Sequence, residues 1–195
     1  MKRYGVFCLL FINSVFLFAR ETKWYEGSIV LKSKEVLPGE ILVEPEYDLV
    51  LHRVNNKVDV YPAHRIQSVY FYDEEANINR RFISLKEQGL FTHHQLMEVV
   101  ISGEVSIYRK QKVFITNTPS DAEGYYYFID HQNHLIDLFK FRTRVYPHLV
   151  ESSGNMLTVF MQENNLNPNS SANAITIITF YNNLQLKAHN EIVAK

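Results

Sequence analysis

The stretch "YPAHRIQSVYFY", Tyr61 to Tyr72, decides how the first half of this chain folds. Pro62 fixes its own φ and carries no amide donor, so a strand running into it must stop. The residues after it form a β-branched and aromatic run, in which Ile66, Val69 and Phe71 offer apolar groups to a core. Ile66 and Val69 are out of phase with each other, which calls for a local bulge or a late strand start. His64 and Arg65 lie between the proline and that run, in a turn expected to face solvent. Val60, Ile66 and Phe71 are expected to face the core.

Four shorter strand patterns precede this stretch: 27–32 (GSIVLK), 36–44 (VLPGEILVE), 48–54 (DLVLHRV) and 57–61 (KVDVY). Turn material separates them at Lys34-Glu35, Pro45-Glu46, Asn55-Asn56 and Pro62-Ala63. In KVDVY the two valines face one way and Asp59 the other, as a half-buried strand requires. Gly27 and Gly39 fall inside strand patterns, where glycine permits a bend or a close backbone approach. Five strands in about 46 residues, with a proline turn between the fourth and fifth, predict a small SH3-like barrel. Further strands are predicted at 80–85, 96–102, 105–109, 112–116, 125–130 and 135–141. Gly103-Glu104, Lys110-Gln111 and His131 to His134 read as hairpin turns, and Glu87–Gln95 and Asn117–Gly124 as polar loops. This second set is an antiparallel meander.

Near Leu138 the period changes. Leu138, Phe141, Val145 and Leu149 recur at spacings of three and four, one face of a helix that Pro147 splits or restarts. Met156, Leu157, Phe160 and Met161 make a second amphipathic helix with Ser153 as its expected cap. Asn169 or Ser170 offers the cap of a third, in which Ala174, Ile178 and Tyr181 share a face. Its stretch ITIITF is β-branched enough to be a strand, and helix is the preferred reading. The fold class expected is α+β: an N-terminal antiparallel β region, small barrel plus meander, followed by amphipathic helices. The divisions are 1–19 leader, 20–73 barrel-like, 74–141 meander, 142–186 helical and 187–195 a fraying tail.

The leader carries Lys2 and Arg3 ahead of Tyr4–Phe18, an uncharged run of 15 residues ending at Ala19. That is the layout of a secretory signal peptide, and it falls short of the roughly 20 residues a spanning helix needs. Leu17 at the −3 position is bulkier than the usual small residue. An uncleaved anchor is the alternative. Cys8 is the one cysteine and lies in the leader, so the mature chain is expected to have no disulfide, thiolate metal site or cysteine nucleophile. With Lys2 and Arg3 removed, the 20 basic residues fall to 18 against 21 acidic ones, a net of −3. Such a balance lacks the basic footprint of a nucleic-acid binder or of a polybasic membrane patch.

Few residues suggest chemistry. Asp130, His131 and His134, in DHQNH, have the types of a two-histidine, one-carboxylate metal site, although a turn between two strands uses the same residues. His93 and His94 are adjacent, so in an extended chain their rings diverge, and they read as exposed loop residues. Glu74-Glu75 or the set Glu44, Glu46 and Asp48 offers carboxylate pairs of the kind used in glycoside hydrolysis. Asn169-Ser-Ser matches a glycosylation sequon. Tyr125, Tyr126, Tyr127 and Phe128 alternate, two toward a core and two outward. The chain lacks Gly-x-Ser-x-Gly, Ser-x-x-Lys, His-Glu-x-x-His and glycine-rich phosphate loops. No catalytic, cofactor-binding or metal residue is therefore assigned, and no cofactor is expected.

The run WYEGSIVL (24–31), LPGEI (37–41), YPAHRIQSVYFYD (61–73) and AITIITFYN (174–182), behind a signal peptide, resembles small exported proteins of unknown function from Bacteroidota-type bacteria. The resemblance covers most of the mature chain. It implies a Gram-negative periplasm or outer surface and brings no catalytic residues with it. Two functional readings follow. The first is a non-enzymatic envelope module that binds a protein or peptide, for which open strand edges are suited. The second is a hydrolase using carboxylates or histidines. A cleft holding Asp130, His131 or His134 with a distant acid or histidine favours the hydrolase, and a flat or edge-type apolar patch favours the module. Mass spectrometry of the native protein is expected to find a mature N-terminus close to Arg20. Intact Met1 in a soluble cytoplasmic pool would sink the export reading.

Overall fold

The computed structural model describes residues 23–87, 93–111, 125–131 and 134–193. The expected leader, the strand at 112–116 and the loop 117–124 lie outside the described residues. Among the described residues ten strands come first: β1 (Tyr25–Leu31), β2 (Val36–Glu44), β3 (Leu49–Val54), β4 (Lys57–Pro62), β5 (Ile66–Asp73), β6 (Ile78–Glu87), β7 (His93–Ile101), β8 (Ser106–Gln111), β9 (Tyr125–His131) and β10 (His134–Asp137). Four helices follow: α1 (Phe141–Arg144), α2 (Tyr146–Ser153), α3 (Asn155–Glu163) and α4 (Ser171–Val193). The protein is thus α+β, and all ten strands share one antiparallel sheet in the order β10-β9-β8-β7-β6-β5-β1-β2-β3-β4. The sheet is open. The expected closed barrel of the first five strands does not form as a ring, because the ladder continues from β5 into β6.

The proline stretch behaves as its chemistry requires. Pro62 ends β4, Ala63–Arg65 make a 3-10 turn, and Ile66 starts β5. Leu31 pairs with Ile66 while Val30 pairs with Ser68, so Gln67 is the extra residue of a bulge that brings Val69 back onto the face of Ile66. Ile66, Val69 and Phe71 are buried, as is Ala63, and His64 and Arg65 are exposed. Val60 departs from expectation at 51% exposed, and Val58 is exposed with it. The alternation of KVDVY is real. However, β4 is the last strand of the ladder, and it turns Asp59 and Tyr61 inward, in register with the core residues His52 and Val50.

The curl of the sheet is fixed by Asp48, in the turn before β3. Its backbone takes a left-handed φ of 53°, and its carbonyl accepts the amide of Ala63 at 2.8 Å. Its buried carboxylate accepts the Leu96 amide of β7 at 2.8 Å and a ring N–H of His93 at 2.9 Å, with Lys110 Nζ at 3.4 Å. The start of β3 therefore touches β7, although four strands lie between them in the ladder. Gly27 and Gly39 face each other across β1 and β2. A Cβ at Gly27 would lie 2.2 Å from the Tyr70 carbonyl oxygen, so the close approach of β5 excludes any side chain there.

The inner face of the sheet carries two apolar cores. Ile29, Leu31, Ile41, Val50, Ile66, Val69, Phe71, Phe82 and Leu96 fill the first. The second joins Ile107 and Ile129 of the sheet to Phe141, Val145, Leu149, Leu157, Ile177 and Ile178 of the helices. Between them run Asp73, Arg80, Glu98 and Arg109. Arg80 Nε donates to Asp73 at 2.7 Å and its Nη1 to Glu98 at 2.7 Å, and Arg109 Nε donates to Glu98 at 2.6 Å. Burial would raise the Asp73 carboxyl, but the Arg80 hydrogen bond, the Ala76 amide and the guanidinium charge hold it below the ordinary range.

The helical half matches its period and corrects several details. Leu138, Phe141, Val145 and Leu149 all reach the second core, and Pro147 opens α2. The strand expected over 135–141 stops at Asp137, because Leu138 and Phe141 need helical spacing to face that core. Lys110 and Gln111 belong to β8 rather than to a turn, and His93–Gln95 belong to β7 rather than to a loop. Met156 is 63% exposed. Ser153 does not cap α3: it is buried, donates to the Leu149 carbonyl at 2.5 Å, and hands over to Gly154 at φ 58°. Ser170 does cap α4, accepting the Asn173 amide at 3.4 Å. The expected tail from 187 continues this helix to Val193.

Asp48→Ala leaves the Leu96 amide without its acceptor and is expected to cost about 1–3 kcal/mol in urea unfolding. Phe71→Ala removes a buried, stacked ring at a cost of about 3–5 kcal/mol, whereas His64→Ala and Arg65→Ala should stay within about 0.5 kcal/mol. A His64 variant as damaging as Phe71→Ala would overturn the closing-turn assignment.

Candidate functional site

The groups that carry chemistry meet where the helices cover the sheet. β9 ends in Asp130-His131, with Asp130 in register with Ser106 at the start of β8. The β7–β8 hairpin adds Gly103 and Glu104. α2 presents His148, Glu151 and Ser152, three residues that share one face by their spacing, and α4 supplies Tyr181. Together they line a cleft of about 560 Å³. Asn182 of α4 holds its rim in place: its side chain accepts the Val105 amide at 3.0 Å and donates to the Val105 carbonyl at 2.8 Å. A Cβ on Gly103 would sit 2.4 Å from that Asn182 side chain, so the clamp needs glycine there.

His131 is the chemical centre of the cleft. Its Nε2 is buried and has no hydrogen-bond partner among the described residues. Its ring centroid lies 5.5 Å from that of His148, at an interplanar angle of 37°. Burial, and next the neighbouring His148, push the His131 pKa below its ordinary value, while Glu104 and Asp130 pull the other way. Asp130 accepts the hydroxyl of Tyr108 at 3.3 Å. Ser152 Oγ donates to the His148 carbonyl at 2.8 Å and lies 3.0 Å from the Tyr181 hydroxyl. That hydroxyl is engaged by backbone and phenol rather than by an imidazole, so Ser152 is not activated by a base.

The residues singled out from sequence are distributed as follows. Asp130 and His131 reach the cleft. His134 pairs across the hairpin from His131, is exposed, and does not line the cleft. His148, which completes the imidazole pair, was missed: it lies 17 positions from His131, and the only sequence signal was the 148/151/152 polar face of a short helix. His93 binds Asp48, and burial holds the His94 pKa down. Glu75 pairs with Lys23 at the surface. Asn169 accepts Arg142 at 2.8 Å. Tyr127 packs on the helix-side core, and for Tyr125 and Tyr126 only the backbone is described. Among the described residues no cluster of three or more His, Cys, Asp and Glu is placed to hold a metal ion, and no helix is long and apolar enough to cross a membrane.

A second cleft, of about 180 Å³, opens over the stacked rings of Tyr25, Phe71 and Phe82 beside Asp73, Arg80, Glu98 and Arg109. Each of those four charges meets an opposite one, so this wall is structural. Comparison with protein-family models, curated proteins and solved structures finds no match.

His131 links the cleft to pH. Its folded pKa lies below the unfolded value near 6.5, so the unfolded chain binds the extra proton first. Stability from this group is present above pH 6.5 and is lost as pH falls through that window. Melting curves of His131→Asn are expected to show a shallower loss on acidification than those of the native protein. Identical slopes would remove His131 as the source.

Proposed function

We propose that this chain is an exported, non-enzymatic module of the cell envelope. It takes a protein or peptide partner, a side chain of which enters the His131–His148 cleft. The observation that carries the reading is the buried Nε2 of His131, which has no hydrogen-bond partner among the described residues, in a cleft also lined by Glu104, Asp130, His148 and Glu151. Leaving a buried polar atom unpaired costs about 1–3 kcal/mol, and a ligand group hydrogen-bonded to it recovers that. Export rests on the leader, and an extracytoplasmic location in a Gram-negative envelope rests on the sequence resemblance. The order β5-β1-β2-β3-β4, with a 3-10 turn between β4 and β5, supports reading the first five strands as an SH3-like unit within the larger sheet.

A hydrolase is the second reading, and the cleft meets the condition set for it from the sequence, since Asp130 and His131 lie there with the distant His148 and Glu151. Ser152 weighs against it, since its hydroxyl is committed elsewhere, and a water nucleophile would have to serve. Nuclear magnetic resonance separates the two. Under the binding reading, titrating short peptides into the native protein shifts the ring signals of His131 and His148 together, His131→Asn abolishes the shift, and the peptides stay intact. Cleavage of the peptides that disappears in His131→Asn would favour the hydrolase. Ring signals that no peptide moves would sink both.

A further inference from the structure

At the other end of the ladder β4 offers an edge that pairs with itself. Asn55 and Asn56 both have positive φ, 49° and 64°, and join β3 to β4 through a two-residue turn of the I′ type. Such a loop is closed by a hydrogen-bonded pair, here Val54 and Lys57. Hydrogen-bonded and non-bonded pairs alternate along the hairpin, so Val58 and Val60 direct their amides and carbonyls away from β3, toward the open side. The same two valines are 44% and 51% exposed. Natural edges of this kind are usually blocked by charge, and β4 carries Lys57 and Asp59, whose side chains are 77% and 48% exposed.

Those charges block most partners and suit one. We infer that β4 is a homodimerisation edge, pairing antiparallel with β4 of a second copy about a two-fold axis at Val58. In that register Val58 faces its own equivalent and exchanges two backbone hydrogen bonds with it. Lys57 then stands opposite Asp59 of the other copy, and Asp59 opposite Lys57. These are non-hydrogen-bonded positions, where cross-strand side chains come closest. Val60 of each copy lies diagonal to Val58 of the other on the outer face. A two-fold contact is self-complementary by construction, so a strand with one cation and one anion flanking its centre pairs with itself and clashes with strands of a single sign. Within one chain the two groups already lie 3.1 Å apart, and dimerisation exchanges the one such contact in each copy for two across the interface.

A charge swap tests this on purified native protein by sedimentation velocity across a wide concentration range. The native protein is expected to show a concentration-dependent dimer that high salt weakens. Asp59→Lys places lysine opposite lysine and should raise the dissociation constant at least tenfold. The double variant Lys57→Asp with Asp59→Lys restores opposite charges in this register alone and should recover the dimer. Circular dichroism confirms that each variant is folded. A monomeric native protein at all concentrations, an undisturbed Asp59→Lys dimer, or a double variant that stays monomeric while folded would each overturn the inference.

Discussion

The buried carboxylate of Asp48 is the constraint from which the rest of the architecture follows. A ten-stranded antiparallel sheet has no intrinsic reason to stop curling at one radius, and twist alone leaves its faces open. Asp48 fixes that radius by standing in for a strand. It accepts the Leu96 amide in β7. Its own carbonyl takes the amide of Ala63, whose carbonyl in turn accepts the Ser84 hydroxyl of β6. One residue in a left-handed turn thus joins the β2–β3 corner, the 3-10 turn and the middle of the sheet. The first core fills the inner side of this curl. A hydrophobic residue at the same point would leave the buried Leu96 amide without its acceptor, which is why a polar carboxylate occupies this buried site.

The charged row between the cores solves a second problem. Along one line of the inner face, Ile29, Val69, Phe82, Glu98, Arg109 and Tyr127 stand in cross-strand register. The apolar part belongs to the curled half and Tyr127 to the helix-covered half, so Glu98 and Arg109 fall where neither half covers the sheet completely. Buried ion pairs seldom stabilise relative to apolar packing, yet removing one partner strands the other. Their physical effect here is register. A one-residue slip of β7 against β8 would turn Glu98 to the outer face and leave Arg80 and Arg109 facing each other. The bulge between Val99 and Ile101 then re-aims β7, so that Ile101 meets the helices.

What was legible in the sequence is what depends on local chemistry. The proline stop, the bulge implied by Ile66 and Val69, the Asn55-Asn56 turn and the 138/141/145/149 stripe can each be read from a few neighbouring residues. The helix over ITIITF was readable because Ala174, Ile178 and Tyr181 keep a helical face despite the β-branched residues. Val60 was misread because alternation marks the two faces of a strand without saying which is covered. That depends on β4 being last in the ladder, a property of all ten strands. Asp48 and His148 were hidden for the same reason. The partners of the Asp48 carboxylate lie 45 to 62 positions away and the partner of His148 lies 17 away, and nothing in their own neighbourhoods distinguishes them from ordinary turn and helix-surface residues.

The two proposed contact surfaces are built on different strands of one ladder, and that has a consequence for recognition. The cleft is built on β8, β9 and α2, whereas the self-pairing edge is β4, so occupation of one leaves the other free. A β4–β4 dimer would fuse two such sheets and carry two histidine clefts, one in each copy. The rigidity of the ladder would then hold the clefts at a fixed spacing, unlike clefts joined by a flexible linker. A partner presenting two copies of the ligand at that spacing gains affinity from the second contact without any new interaction, and one with mismatched spacing gains nothing. Dimerisation would therefore select for repetitive partners through geometry rather than through the chemistry of the cleft.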